Sequence, residues 1–100
     1  MKELKNITEE EVKHICELVG EPYISYLAGV KSWIQFNLVI QILTTSTVHG
    51  NSNDSFIQIY NNGMVTLDRN NGDYGGCRKA SINAMLITDY LRAQGYTFVN

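Results

Sequence analysis

The sequence predicts an α+β fold: a two-layer sandwich in which an antiparallel sheet carries an N-terminal and a C-terminal helix on one face, in the order α-(β)-β-β-β-α-(β), the bracketed strands being optional. Three observations predict it. Apolar residues recur at helical spacing near both ends of the chain, they recur with period two through its middle, and turn residues separate the two regimes. The chain has 100 residues, 44% of them hydrophobic and 18% charged, with a single proline. That is the length and composition of one globular domain, expected over residues 1–100.

The first helix is written plainly. Thr8 and Glu11 have the T-x-x-E spacing of a capping box, in which each side chain satisfies an orphan backbone donor. Ile7 and Val12 stand at the positions of a hydrophobic staple. Val12, Ile15, Cys16 and Val19 then form one apolar stripe, with Glu10, Lys13, His14 and Glu17 opposite it. Gly20 is the expected left-handed stop, and Pro22 follows. Residues 21–32 fit a helical turn almost as well as a short strand, and an edge strand is the expectation carried forward.

From Trp33 the period becomes two. Ile34, Phe36, Leu38, Ile40 and Ile42 alternate with Trp33, Gln35, Asn37, Val39, Gln41 and Leu43, giving a long strand that residues 44–48 can extend. Residues 49–54 read as a polar turn. Residues 56–60 and 64–68 are two more strands around Asn61-Asn62-Gly63. A two-residue loop here would oppose Ile57 to Asp68, whereas a three-residue loop opposes Ile59 to Val65 and Ile57 to Leu67. Because slipping the register flips every side chain to the other face, the second arrangement is expected, with Gly63 left-handed. Residues 70–76 form an Asn- and Gly-rich loop, and residues 78–94 read as the second helix, with Ala84, Ile87 and Leu91 on one side and Ile82, Met85 and Leu86 widening the apolar face. Gly95 stops it, Tyr96 can pack back on Leu91, and Thr97-Phe98-Val99 can add a short strand.

The chemistry-bearing residues are few. G-x-S-x-G, G-x-x-x-x-G-K, H-E-x-x-H and C-x-x-C are all absent. No metal, cofactor or catalytic set is therefore expected. Cys16 belongs to the apolar stripe and His14 to the wet face of the first helix. His49 near Asp54, and Cys77 beside Arg78 and Lys79 at a helix start, are the two starting points for a small-enzyme reading. Neighbouring cations and a helix N-terminus would both lower a thiol pKa. The segment Gly75-Gly76-Cys77-Arg78-Lys79 has a second reading as an anion or phosphate site: two glycines expose N–H groups, a helix start supplies partial positive charge, and two cations follow. Gly75, Gly76, Arg78 and Lys79 are its candidate residues.

Gly75-Gly76-Cys77-Arg78-Lys79-Ala80-Ser81 also resembles the Gly-rich junction that opens the last helix of double-stranded RNA-binding domains, which have the order helix, three strands, helix. Phe56 stands near the start of the second strand of that order. The resemblance implies RNA as a ligand of this junction. The chain departs from the pattern at Ile82, where a further basic residue is usual, and in the insertion at 21–32. Its net charge of −2 lacks the basic footprint of a bulk nucleic-acid binder. Residues 1–21 hold six acids against three bases, and residues 64–100 hold four bases against three acids.

The most informative feature is an absence. Residues 22–63 contain only two charged side chains, Lys31 and Asp54. With helices on one face of the sheet, the other would present Trp33, Gln35, Asn37, Val39, Gln41, Phe56, Gln58, Tyr60 and Met64. Aromatic, methionine and amide side chains with few charges are the composition of an interface core. Trp33, Gln35, Asn37, Phe56, Gln58, Tyr60 and Met64 are the candidate protein-binding residues. The function expected is a small, non-enzymatic binding protein that uses this face on a protein partner or on itself as a homo-oligomer. Nucleic-acid or nucleotide binding at Gly75 to Lys79 is the alternative, and an enzyme using Cys77 or His49 the third reading. In size and lack of catalytic motif the chain resembles phage or mobile-element accessory proteins, some of which inhibit host proteins. No apolar run is long enough to span a bilayer, no signal-peptide pattern is present, and Cys16 and Cys77 have neither metal nor redox spacing, so a cytoplasmic protein without membrane contact is expected.

Overall fold

The computed structural model describes the backbone of residues 2–32, 35–46, 52–70, 77–79 and 82–99, and the side chains of residues 2–29, 37–42, 55–67 and 82–99. A 3₁₀ turn, Leu4–Asn6, leads into helix α1, Glu9–Val19. Both halves of the capping box are made. The Thr8 hydroxyl accepts from the Glu11 N–H at 3.3 Å, and the Glu11 carboxylate accepts from the Thr8 N–H at 3.0 Å. Ile7 and Val12, the staple pair, are both buried in the core. Gly20, at φ 73°, donates to the Glu17 carbonyl while Glu21 donates to that of Cys16, a Schellman ending.

The sheet has five strands in sequential order: β1 Ser25–Ser32, β2 Gln35–Ser46, β3 Ser52–Tyr60, β4 Val65–Asn70 and β5 Cys77–Lys79, each antiparallel to its neighbour. The expected edge strand is present as β1. The hairpin has the three-residue loop: Ile59 opposes Val65, Ile57 opposes Leu67, and Gly63 is left-handed at φ 89°. Across β2 the same rows continue, with Leu38 opposite Ile59 and Ile40 opposite Ile57. A bulge follows Gln41, after which Leu43 opposes Ser55.

One face of this sheet is the core. Leu38, Ile40, Ile42, Ile57, Ile59 and Leu67 are buried in a single cluster with Val12, Ile15 and Cys16 of α1 and Ile87 and Leu91 of α2, Ala84–Ala93. Burying an isoleucine side chain fully stabilises the fold by roughly 1.5–3 kcal/mol. The two-layer α+β arrangement is thus the one the periodicities predict.

Four expectations need correction. Of the polar turn expected over residues 49–54, Ser52, Asn53 and Asp54 belong to β3, paired with Ser46, Thr45 and Thr44 of β2. The second helix begins at Ala84 rather than at residue 78. Asn83 is its N-cap, accepting from the Leu86 N–H at 3.4 Å, and Cys77–Lys79 pairs with β4 instead. A capping asparagine is a stronger start signal than an Arg-Lys pair, which a strand accommodates equally well. Met85 and Leu86 do not widen the buried face, being 70% and 43% exposed; Thr88 is buried instead, its hydroxyl donating to the Ala84 carbonyl at 3.1 Å. Thr97-Phe98-Val99 forms no strand of the sheet. After a Schellman ending at Gly95 and Tyr96, the tail is tied to the N-terminal segment by bonds between Thr97 N–H and the Lys2 carbonyl (3.1 Å) and between Lys2 N–H and the Gly95 carbonyl (3.1 Å), and to the hairpin by a bond from Val99 N–H to the Asn61 carbonyl (2.8 Å). The five-strand order and the late helix start also remove the likeness to a double-stranded RNA-binding domain.

Glu11 joins these ends. Beyond the capping box, its carboxylate accepts from the hydroxyl of buried Tyr96 at 2.6 Å. Burial would raise the Glu11 pKa, but the hydrogen bonds from Tyr96 and Thr8 and the charge of Lys2 outweigh it, leaving the group below the usual carboxylate value. A carboxylate lowered in the folded state contributes stability above its unfolded pKa and loses that contribution as pH falls through the folded one. Thermal unfolding followed from pH 7 down to about 3 should therefore show a steeper loss for the wild type than for Glu11→Gln. At neutral pH, Tyr96→Phe should cost about 1.5–3 kcal/mol, the range for a hydrogen bond to a charged acceptor. Parallel pH profiles for the wild type and Glu11→Gln would contradict the assignment.

Candidate protein-binding face

The face of the sheet turned away from the helices is built by the register. Leu27 of β1, Val39 of β2, Gln58 of β3 and Thr66 of β4 lie in one row across four strands. Gly29, Asn37 and Tyr60 form the row on one side of it, and Ser25, Gln41, Phe56 and Asp68 the row on the other. The charges in these rows stand together at one edge, where Asp68 of β4 faces Lys79 of β5. Leu27 is 63% exposed, and Val39, Gln41, Phe56, Gln58 and Tyr60 are half-buried. Met64, bonded through its carbonyl to the Tyr60 N–H, is exposed at the hairpin end.

Polar groups on this face are knitted together around Gln58. Its side-chain oxygen accepts from Asn37 Nδ2 and from the Tyr60 hydroxyl, each at 3.2 Å. Ser25 donates to the Gln41 side-chain oxygen at 3.0 Å. Among the described residues, two buried side-chain atoms have no hydrogen-bond partner: Asn37 Oδ1 and Thr66 Oγ1, one on each side of β3. A buried polar atom left unpaired costs about 1–3 kcal/mol. Such groups are carried here on a face, where an apolar side chain of similar size would have avoided the cost.

Of the residues expected to bind a protein, Asn37, Phe56, Gln58, Tyr60 and Met64 are brought together on this face. Asn37 is only 3% exposed, so it supports the face from below rather than meeting a partner directly. Gln35 pairs in register with Ser32 at the far end of β2, its side chain outside the described residues, and Trp33 lies outside them altogether. Ser25, Leu27, Gly29 and Thr66 belong to the face without having been singled out. Thr66 follows directly from the three-residue hairpin loop. The β1 residues were hidden by the competing helical reading of 21–32.

The anion site is not assembled as expected. Gly75 and Gly76 lie outside the described residues. Arg78 and Lys79 stand in β5, opposite Arg69 and Asp68, while the nearest helix start is at Asn83. The helix-terminus charge invoked for this segment, and for lowering the Cys77 pKa, therefore sits elsewhere. Cys77 is opposite Asn70 in the same short strand, and His49 lies outside the described residues. Cys16 is a free cysteine in the core, where burial, and then the charge of Glu21, push its thiol up to about 11. Such a thiol is unreactive at neutral pH. His14, expected on a wet face beside Glu10, is exposed but rests on Tyr90 of α2, ring centroids 4.4 Å apart. Among the described residues no group of three His, Cys, Asp or Glu side chains could hold a metal ion, and no helix is long and apolar enough to cross a membrane.

Comparison with family models, with curated proteins and with solved structures finds no match to this chain. What the face does must be read from its chemistry.

Thr66 provides a direct check of that chemistry. Thr66→Val keeps the β-branched shape and removes the unpaired hydroxyl, so it should raise stability by about 0.5–1 kcal/mol in urea unfolding. A loss of more than about 1 kcal/mol would mean that the hydroxyl is paired in solution.

Proposed function

We propose that this chain is a small binding protein that engages a protein partner through the sheet face opposite its helices. The observation that carries the reading is the row Leu27–Val39–Gln58–Thr66, which crosses four strands without a charge and ends in a leucine that is mostly in water. Desolvating a charge is the largest penalty in forming an interface, and this row carries none. Phe56 and Tyr60 supply aromatic area on either side of it, the residue class most enriched at binding hot spots. Gln58, held by Asn37 and Tyr60, offers a fixed amide that orients a partner rather than merely excluding water. Neither β1 nor the C-terminal tail is spent on covering the face, since β1 extends the sheet and the tail docks at the hairpin turn. The reducing cytoplasm is the compartment that fits a free, buried Cys16.

Tyr60→Arg tests this reading. The ring is half-buried on the outer face, so the variant should stay folded, with a melting temperature within about 5 °C of the wild type. Immobilised wild type should retain a specific protein from nuclease-treated lysate of the source organism, and Tyr60→Arg should lose it. Unfolding of the variant would make Tyr60 a core residue and remove the proposed face. Retention that vanishes with nuclease would replace the protein partner with nucleic acid.

A further inference from the structure

The two edges of the sheet are finished differently. β5 closes one edge with three residues, two of them cationic, and shortness and charge are both devices that keep a strand edge from pairing with another chain. β1 is eight residues long, pairs among the described residues with β2 alone, and contains no proline. Its single charge, Lys31, and its single irregularity, between Val30 and Ser32, both fall at its C-terminal end. Ser25 to Gly29 is therefore a regular, uncharged edge whose outer side pairs with no strand among the described residues. Leu27, at 63% exposure, and Ile24, at 47%, stand on or beside this stretch.

We infer that β1 is the docking edge for a second copy of this chain, joined antiparallel through β1 of each protomer about a two-fold axis at Leu27. The residues choose the occupant and the register. Centred on Leu27, the pairing sets Leu27 against its own copy, Tyr26 against Ala28 in both directions, and Ser25 against Gly29. Tyr26 thus meets the small Ala28 on each side of the axis, and the exposed leucine gains an apolar cross-strand neighbour. Lys31 falls opposite Tyr23 rather than opposite another Lys31. Moving the axis to Ala28 would leave Leu27 facing Gly29 and set Tyr26 against Val30. An antiparallel pair about a perpendicular two-fold keeps each face on its own side, so the two uncharged faces become continuous across a ten-stranded sheet. The inference is independent of the proposed protein partner, because it concerns the edge and needs only the chain itself.

Sedimentation equilibrium of the purified chain over about 1–100 µM is the test. Twice the monomer mass is expected at the upper end, with Leu27→Lys raising the dissociation constant about tenfold by replacing the Leu27 pair with two opposed lysines at the axis. Met85→Lys, an equally exposed apolar position on α2, and Tyr60→Arg, two strands inward, should both leave the dimer intact. In a Cys77→Ser background, Leu27→Cys should form an intermolecular disulfide on mild oxidation, since facing residues of antiparallel strands lie about 4.5–5.5 Å apart at Cα. A monomer throughout the range would overturn the inference. A dimer indifferent to Leu27→Lys would do the same.

Discussion

The arrangement of the molecule depends on one constraint, the register that lines Leu38 with Ile59 and Val65, and Ile40 with Ile57 and Leu67. These rows form the floor on which α1 and α2 sit. A slip of one residue at the hairpin would turn Ile57 and Ile59 to water and bring Gln58 into the core, forfeiting roughly 1.5–3 kcal/mol per isoleucine and burying an amide as well. The three-residue loop with Gly63 left-handed is the geometry that prevents it. Any other residue at this position would be strained, and a Cβ there would meet the Phe98 ring at 3.5 Å.

The same register fixes the outer face without further instruction. Because successive side chains alternate, placing Leu38, Ile40, Ile57 and Ile59 inside places Asn37, Val39, Gln58 and Tyr60 outside. The outer face is thus a consequence of the core, and its composition is free to vary only at those alternate positions. That those positions carry amides and aromatics instead of lysines and glutamates is what gives the face its character. Glu11 closes the other layer, linking the start of α1 to the residue that follows α2 through one short hydrogen bond.

Most of the fold was legible in the sequence because its signals are local or periodic. The Thr8 and Glu11 cap, the alternation through β2 and the choice of hairpin loop each follow from neighbouring residues, and each is present. The failures came where local signals compete. Tyr23 to Gly29 contains apolar residues compatible with either period, and only pairing with β2 settles it as a strand. Arg78 and Lys79 have no strong preference, so the helix start passed to Asn83, and with it went the helix-terminus charge expected at Gly75 to Lys79. Met85 and Leu86 show the limit of composition: they are apolar, but α2 turns them outward because Ile87, Thr88 and Leu91 already face the sheet. The outer face was legible as a consequence of alternation, while the unpaired atoms of Asn37 and Thr66 depend on side-chain packing that no spacing rule encodes.

The central claim is that the sheet has one face committed to the core and one face offered to a partner, and Val39 and Ile40 test it most directly. They are consecutive residues of β2 on opposite faces, one half-buried and one fully buried. Chemical unfolding of Val39→Lys and Ile40→Lys measures both sides at once. Val39→Lys should unfold cooperatively within about 1–2 kcal/mol of the wild type, its stem lying along the face with the ammonium in water. Ile40→Lys should lose more than about 4 kcal/mol, or fail to fold, because its charge has no partner in the core. Equal, severe loss in both variants would show that both faces are packed, and would contradict a face open to a partner.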